Sequence, residues 1–216
     1  MSKINIPTKI TIARIVLAAS LIIFLAITAV IGTPTNWAAS RVGDSPIYVV
    51  DLVACIVFIV AAATDYLDGH LARKWNMVTD LGKFLDPIAD KMLVNSIFIY
   101  ICVRFDFSAR LWTPILPFLV ILMVVRDLVV DTMRFVAAKK GIVVSANIFG
   151  KAKTVLQMIA IPAVLLNGWP FSYFDASWSP YARIAMILVY ICTAASLLSG
   201  IIYVKDNAGV FKEDAK

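Results

Sequence analysis

Residues 65–90 read DYLDGHLARKWNMVTDLGKFLDPIAD, and four aspartates of this segment lie at the ends of two strongly apolar runs. These are Asp65, Asp68, Asp86 and Asp90, whereas Asp80 lies in the polar stretch between the runs. Asp65 and Asp68 are three residues apart, and Asp86 and Asp90 are four apart, so on helices each pair occupies one face. The spacing predicts two helices joined by a turn, with their carboxylates facing each other.

These four carboxylates need cations if they lie at membrane depth. One carboxylate there costs roughly 2.5–3.5 kcal/mol, and four bare ones would cost on the order of 10 kcal/mol. A cage of oxygen atoms suits a hard cation such as Mg²⁺ or Mn²⁺. Two divalent ions would neutralise the four charges and could then hold a diphosphate through shared oxygens. A structural carboxylate cluster and the ion path of a transporter are the alternative interpretations.

The composition indicates a membrane protein with several spans. The chain has 216 residues, of which 61% are hydrophobic and only 16% charged, and its mean hydropathy is +0.88. A soluble core does not need so many apolar residues. The length allows one domain, residues 1–216, of about six spans with roughly 20 residues each.

Six apolar segments predict an all-α bundle of six transmembrane helices. They are Thr11–Gly32, Ile47–Tyr66, Phe84–Val103, Leu111–Met133, Val155–Leu166 with its flanks, and Ala182–Val204. The segment Ser2–Arg14 alternates polar and apolar residues, so we expect a short interfacial stretch before the first span. The loop Gly168–Tyr181 is rich in aromatic residues, which is typical of a membrane interface.

The basic residues predict the orientation. With the N-terminus inside, 15 of the 20 Lys and Arg residues fall on the inner side, 4 on the outer side, and Arg126 lies within a span. This positive-inside pattern predicts cytoplasmic termini and an aspartate segment at the cytoplasmic face. The formal net charge is +6, and the basic residues cluster beside the apolar runs. This arrangement indicates contact with anionic phospholipid headgroups rather than with nucleic acid.

Small and basic residues between the aspartate pairs favour a large anionic ligand. Gly69 and Ala72 follow Asp65 and Asp68 at helical spacing, where they leave room for a ligand against the backbone. Arg73 can donate two hydrogen bonds to a phosphate, and Gly82 opens the next helix in the same way.

The complete pattern resembles the signature of the CDP-alcohol phosphotransferase family. The chain matches D-x2-D-G-x2-A-R-x8-G-x3-D-x3-D at each of the eight fixed positions. The resemblance implies six transmembrane helices, a homodimer and a cytoplasmic active site. It also implies that Asp65, Asp68, Asp86 and Asp90 bind two divalent metals, that Asp90 is the general base, and that Gly69, Ala72, Arg73 and Gly82 contact the CDP moiety.

Further segments resemble the bacterial branch of this family that uses glycerol 3-phosphate. They are residues 5–14, 81–91 and 150–154, although Thr8 stands where that branch more often has Asn. The resemblance implies an enzyme of the bacterial inner membrane. Its reaction would transfer the phosphatidyl group of CDP-diacylglycerol to glycerol 3-phosphate and release CMP. Phosphatidylglycerol, inositol phosphate or serine as the acceptor, and a divalent-cation transporter, are the alternatives.

A phosphorylated acceptor needs cations of its own. Arg126 and Arg134 are eight residues apart, so they lie within about a quarter-turn of each other on a helix. Lys151 and Lys153 begin the next helical segment on the same side of the membrane. These four residues are the candidate site for the acceptor phosphate. Contact with headgroups is the alternative for Lys153, and a structural ion pair with Asp127 or Asp131 is the alternative for Arg126.

Overall fold

A computed structural model gives the fold of the chain. It describes residues 5–31, 38–42, 45–74, 80–103, 111, 113–140 and 148–207. For residues 6–7, 38–42, 45–46, 66–74, 80–81, 83–84 and 148–149, the structure describes the backbone alone.

Within the described residues the chain forms six long helices. They are α1 (Ile6–Ile31), α2 (Val49–Lys74), α3 (Asp80–Val103), α4 (Leu116–Lys139), α5 (Ile148–Leu165) and α6 (Ile184–Asp206). This agrees with the predicted all-α class and places one helix over each predicted apolar segment.

The helices differ from the predicted segments mainly at their ends. Helix α1 begins at Ile6 and continues unbroken, so residues 6–14 of the predicted interfacial stretch are part of the first helix, while residues 2–4 lie outside the described part of the chain. Helix α2 continues to Lys74 and α3 begins at Asp80. The fixed positions of the signature therefore lie on the two helices themselves, and Pro87 is inside α3. Because proline has no N–H, α3 lacks one backbone hydrogen bond beside Asp86 and Asp90.

A short antiparallel hairpin follows α1 and was not predicted. Its strands are β1 (Ala38–Val42) and β2 (Ser45–Tyr48), paired so that Val42 lies opposite Ser45. Five-residue and four-residue strands carry too little periodicity to be recognised beside long apolar runs.

The connection between α5 and α6 is compact. Asn167 and Gly168 both have positive φ, and the Gly168 N–H donates to the Ala163 carbonyl oxygen at 2.7 Å, which closes the end of α5. The buried carboxylate of Asp175 then accepts a hydrogen bond from the N–H of Ile184 at 2.9 Å, at the start of α6.

Helix packing brings the charged ends of several helices together. Helix α1 packs on α2 and α3, while α6 packs on α4 and α5, the latter being the most extensive contact in the bundle. The core between them is apolar, with Phe58, Phe98, Ile101, Ile161 and Met186 among its buried side chains.

The outer surface of the bundle is also apolar. On α4, Phe118 is 65% exposed and Leu128 62% exposed. Each of the six helices exposes large apolar side chains, and examples are Val16, Ile23, Ile56, Ile99, Ile121, Val125, Val155, Ile191, Leu198 and Ile201. Exposed apolar surface on this scale marks contact with a membrane or with a partner protein.

In the described part of the chain, two helices are long and apolar enough to cross a membrane, judged by length and composition. They are Thr8–Ile31 within α1 and Ile184–Asp206, which is α6. Helices α3 and α4 carry several ionisable residues each, in the first half of α3 and from the middle of α4 onward. Six spanning helices and the orientation of the termini stay predictions.

Candidate active site

The aspartate signature lies where α2 ends and α3 begins, beneath the first turns of α1. Arg14 on α1 forms an ion pair with the carboxylate of Asp65. One turn earlier, the Thr11 hydroxyl donates to Oδ1 of Asp86 at 2.9 Å. The Arg14 side chain is only 2% exposed, whereas that of Asp65 is 52% exposed. Helix α1 therefore contacts one carboxylate of each predicted pair.

Asp90 connects the signature with the interior of the bundle. It lies one turn after Asp86 on α3 and is close enough to Asp65 and Lys153 for their charges to act on it. Asp68, Gly69, Ala72 and Arg73 belong to α2, but their side chains lie outside the described part of the chain. The predictions for those four residues therefore stay predictions, as does the prediction for Gly82 in the first turn of α3.

The carboxylate oxygens of this region are the type of ligand that a hard cation prefers. Each carboxylate has two oxygens, so Asp65 and Asp86 retain acceptor capacity beyond their bonds to Arg14 and Thr11. Among the side chains that the structure describes, no group of three or more carboxylate, imidazole or thiol donors is arranged to hold a metal. The side chain of Asp68, which would complete the set, lies outside the described part of the chain.

A cavity of about 200 Å³ lies beside Asp90, between α3, α4, α5 and α6. Its lining contains each of the four residues predicted to hold the acceptor phosphate. The charged residues around it are Asp90, Lys91, Arg126, Asp127, Asp131, Arg134, Lys151 and Lys153. Five cations therefore face three carboxylates, an excess of two positive charges that favours an anionic ligand.

Asp127 organises the deepest part of the cavity. Its carboxylate accepts from Nη1 of Arg126 at 2.8 Å and from Nζ of Lys153 at 2.5 and 2.6 Å. The second guanidinium nitrogen, Nη2 of Arg126, donates to the Ser199 hydroxyl on α6 at 2.6 Å. The Arg126, Asp127 and Lys153 side chains are 12%, 7% and 8% exposed. One buried carboxylate thus partly neutralises two buried cations.

These contacts bear on the alternative interpretations of two residues: an ion pair for Arg126 and contact with headgroups for Lys153. Arg126 pairs with Asp127, whereas Asp131 pairs with Lys91 of α3 instead. Lys153 is buried, so the interpretation of this residue as an exposed contact to headgroups is wrong.

Other lining residues were not predicted. Ser199 and Tyr203 belong to α6, and the Tyr203 ring lies 5.4 Å below the guanidinium carbon of Arg134, a distance typical of a cation–π contact. Thr11 and Arg14 were likewise missed as site residues. An arginine inside the first apolar run was the available signal for Arg14, because such a residue needs a partner.

These residues form a polar, cation-rich site inside a bundle of apolar helices, and its excess of positive charge suits an anionic ligand. The match to known proteins is specific. Residues 4–198 match the model of the CDP-alcohol phosphatidyltransferase family. The chain belongs to this family, which confirms the resemblance seen in the signature.

Bacterial relatives align with nearly the whole chain. A Bacillus subtilis (strain 168) protein is 41% identical over 192 residues, covering 89% of this chain and 91% of that protein. A Mycoplasma pneumoniae protein is 35% identical over 220 residues, covering 98% and 91%. An Escherichia coli (strain K12) protein is 32% identical over 187 residues, covering 86% of each. All three are named CDP-diacylglycerol–glycerol-3-phosphate 3-phosphatidyltransferase.

Proposed function

We propose that this protein transfers the phosphatidyl group of CDP-diacylglycerol to glycerol 3-phosphate, giving phosphatidylglycerophosphate and CMP. The observation that carries the proposal is the cavity beside Asp90, which the four candidate cations for an acceptor phosphate line together. The names of the bacterial relatives support the same pair of substrates.

Asp90 is the proposed general base. The acceptor hydroxyl oxygen would form a bond to the phosphorus of the phosphatidyl phosphate, and the bond from that phosphorus to the CMP oxygen would break. Asp90 would take the hydroxyl proton, since it belongs to the aspartate signature and also lines the cation-rich cavity. Arg126, Arg134, Lys151 and Lys153 would hold the acceptor phosphate and so orient the hydroxyl.

Divalent metal is the proposed cofactor. Two Mg²⁺ or Mn²⁺ ions held by Asp65, Asp68, Asp86 and Asp90 would neutralise the donor diphosphate and stabilise the leaving CMP. Gly69, Ala72, Arg73 and Gly82 would contact the CDP moiety. Arg14 and Thr11 would keep Asp65 and Asp86 oriented toward the site.

The proposed setting is the inner membrane of a bacterial cell. The apolar outer surface of the bundle supports six spans, with both termini and the active site at the cytoplasmic side. We propose a homodimer surrounded by membrane phospholipids.

CMP release from CDP-diacylglycerol by the purified protein tests the reaction. We expect release to depend on glycerol 3-phosphate, with phosphatidylglycerol, inositol phosphate and serine giving little, and to stop in EDTA until Mg²⁺ or Mn²⁺ is restored. Equal release with serine would contradict the acceptor, and full release after exhaustive chelation would contradict the metals. Cation uptake into proteoliposomes without CMP release would support a transporter instead.

A further inference from the structure

One face of α6 contacts both arginines of the cavity, Arg126 and Arg134. Ser199, Gly200 and Tyr203 lie on this face and are buried. Ser199 accepts a hydrogen bond from Arg126, and the ring of Tyr203 lies under Arg134. We call these three residues the α6 face.

Gly200 makes the closest approach on this face. A Cβ atom at position 200 would lie 2.8 Å from Cγ, 3.2 Å from Nε and 3.6 Å from Cδ of Arg126. Carbon atoms in contact prefer separations of about 3.5–4.0 Å, so even a methyl group would collide with this side chain. The atom nearest to the added group is near the root of the side chain, which means that Arg126 would have to change rotamer rather than bend at its tip.

Local preference does not explain a glycine at this position. Glycine is a poor helix former, and Gly200 lies six residues before the end of α6. The space that its missing side chain leaves is occupied by the stem of Arg126.

We propose that Gly200 is a positioning residue for the acceptor phosphate, because only glycine lets Arg126 lie between Asp127 and Ser199 with its guanidinium at the cavity. This inference rests on the proposed function, in which Arg126 binds the phosphate of the acceptor. Gly200 would thereby favour phosphate monoesters over neutral alcohols as acceptors.

Gly200→Ala tests this role. We expect the KM for glycerol 3-phosphate to rise about tenfold or more, since a charge-assisted hydrogen bond is lost, while the KM for CDP-diacylglycerol stays unchanged. Ser196→Ala is the matched control, because Ser196 is buried one turn earlier on α6 and does not line the cavity. An unchanged acceptor KM in Gly200→Ala would overturn the proposal, and so would an equal rise in the control.

Phosphate binding gives a readout that does not depend on the identity of the acceptor. The concentration of inorganic phosphate that half-maximally raises the thermal midpoint, measured in EDTA, should increase about tenfold or more in Gly200→Ala. If wild type released no CMP with glycerol 3-phosphate but this shift occurred, only the proposed acceptor would fail. If phosphate protected both proteins equally, the role of Gly200 would fail whatever the acceptor.

A double variant settles the case in which Gly200→Ala does not fold. Without the Arg126 side chain there is nothing to collide with, so adding Gly200→Ala to Arg126→Ala should change neither the thermal midpoint nor phosphate binding. A further loss of phosphate binding in the double variant would show that Gly200 does not act through Arg126.

Discussion

At the scale of single residues, the charge balance of the cavity depends on Asp127. It is buried and accepts hydrogen bonds from both Arg126 and Lys153. Removing one partner of a buried ion pair leaves a charge without compensation, which costs far more than the pair itself is worth. Here two cations share the same carboxylate, so its loss would leave both of them uncompensated and close to each other.

Asp127→Asn should therefore destabilise the protein by about 3–5 kcal/mol. Asp131→Asn is the matched control on the same helix. Its ion pair with Lys91 is partly exposed, at 24% and 29% for the two side chains, so its loss should cost below about 1 kcal/mol. Thermal unfolding in detergent measures both variants. Equal midpoints for the two would contradict the central position of Asp127 in this network.

At the scale of elements, α1 contributes to the candidate active site as well as to the core. Its apolar side packs on α2 and α3, and its first turns place Thr11 and Arg14 on Asp86 and Asp65. A helix that only crossed the membrane would need neither contact. The two bonds connect the position of α1 to the orientation of the signature carboxylates.

Thr11→Val should lower the rate of CMP release about tenfold, because a hydrogen bond to a charged carboxylate is lost with little change in shape. Thr28→Val is the control, since the Thr28 hydroxyl donates only to the Leu25 carbonyl of its own helix. The assay is CMP release at saturating substrate. Equal rates in Thr11→Val and wild type would show that Asp86 needs no orientation from α1.

At the scale of the whole molecule, two surfaces are apolar: the core and the outside of the bundle. The exposed row on α4 includes Phe118, Ile121 and Leu128. The loop after α5 exposes aromatic side chains, with Tyr173 at 63% and Phe174 at 77%, and such residues favour the membrane interface. These surfaces agree with a bundle surrounded by lipid and with the charged cavity at one end of it.

Cysteine labelling tests the proposed orientation. Ser177 in the aromatic loop and Lys140 after α4 are both exposed. In bacterial spheroplasts, a membrane-impermeant maleimide should label Ser177→Cys at once and Lys140→Cys only after permeabilisation. The parent chain is the control, because Cys55 and Cys192 are buried and Cys102 is partly buried. The reverse pattern would invert the orientation.

Local pattern was sufficient to predict the helices and to place the candidate site residues on them. Helical geometry depends on near neighbours in the chain, so apolar runs indicated six helices, and spacings of three and four paired the aspartates. The same reasoning brought Arg126 and Arg134 to one side of α4. Local pattern could not predict the short hairpin or the exact helix ends, because both depend on backbone hydrogen bonds that composition does not reveal.

Tertiary structure alone determined which charges meet. The sequence was compatible with an ion pair between Asp127 and Arg126 alone, but α5 also brings Lys153 to Asp127 from 26 residues away. Thr11 reaches Asp86 across 75 residues, and Gly200 makes room for Arg126 from a different helix. These contacts depend on how rigid helices pack, and packing is set by the shape of whole surfaces rather than by neighbouring residues.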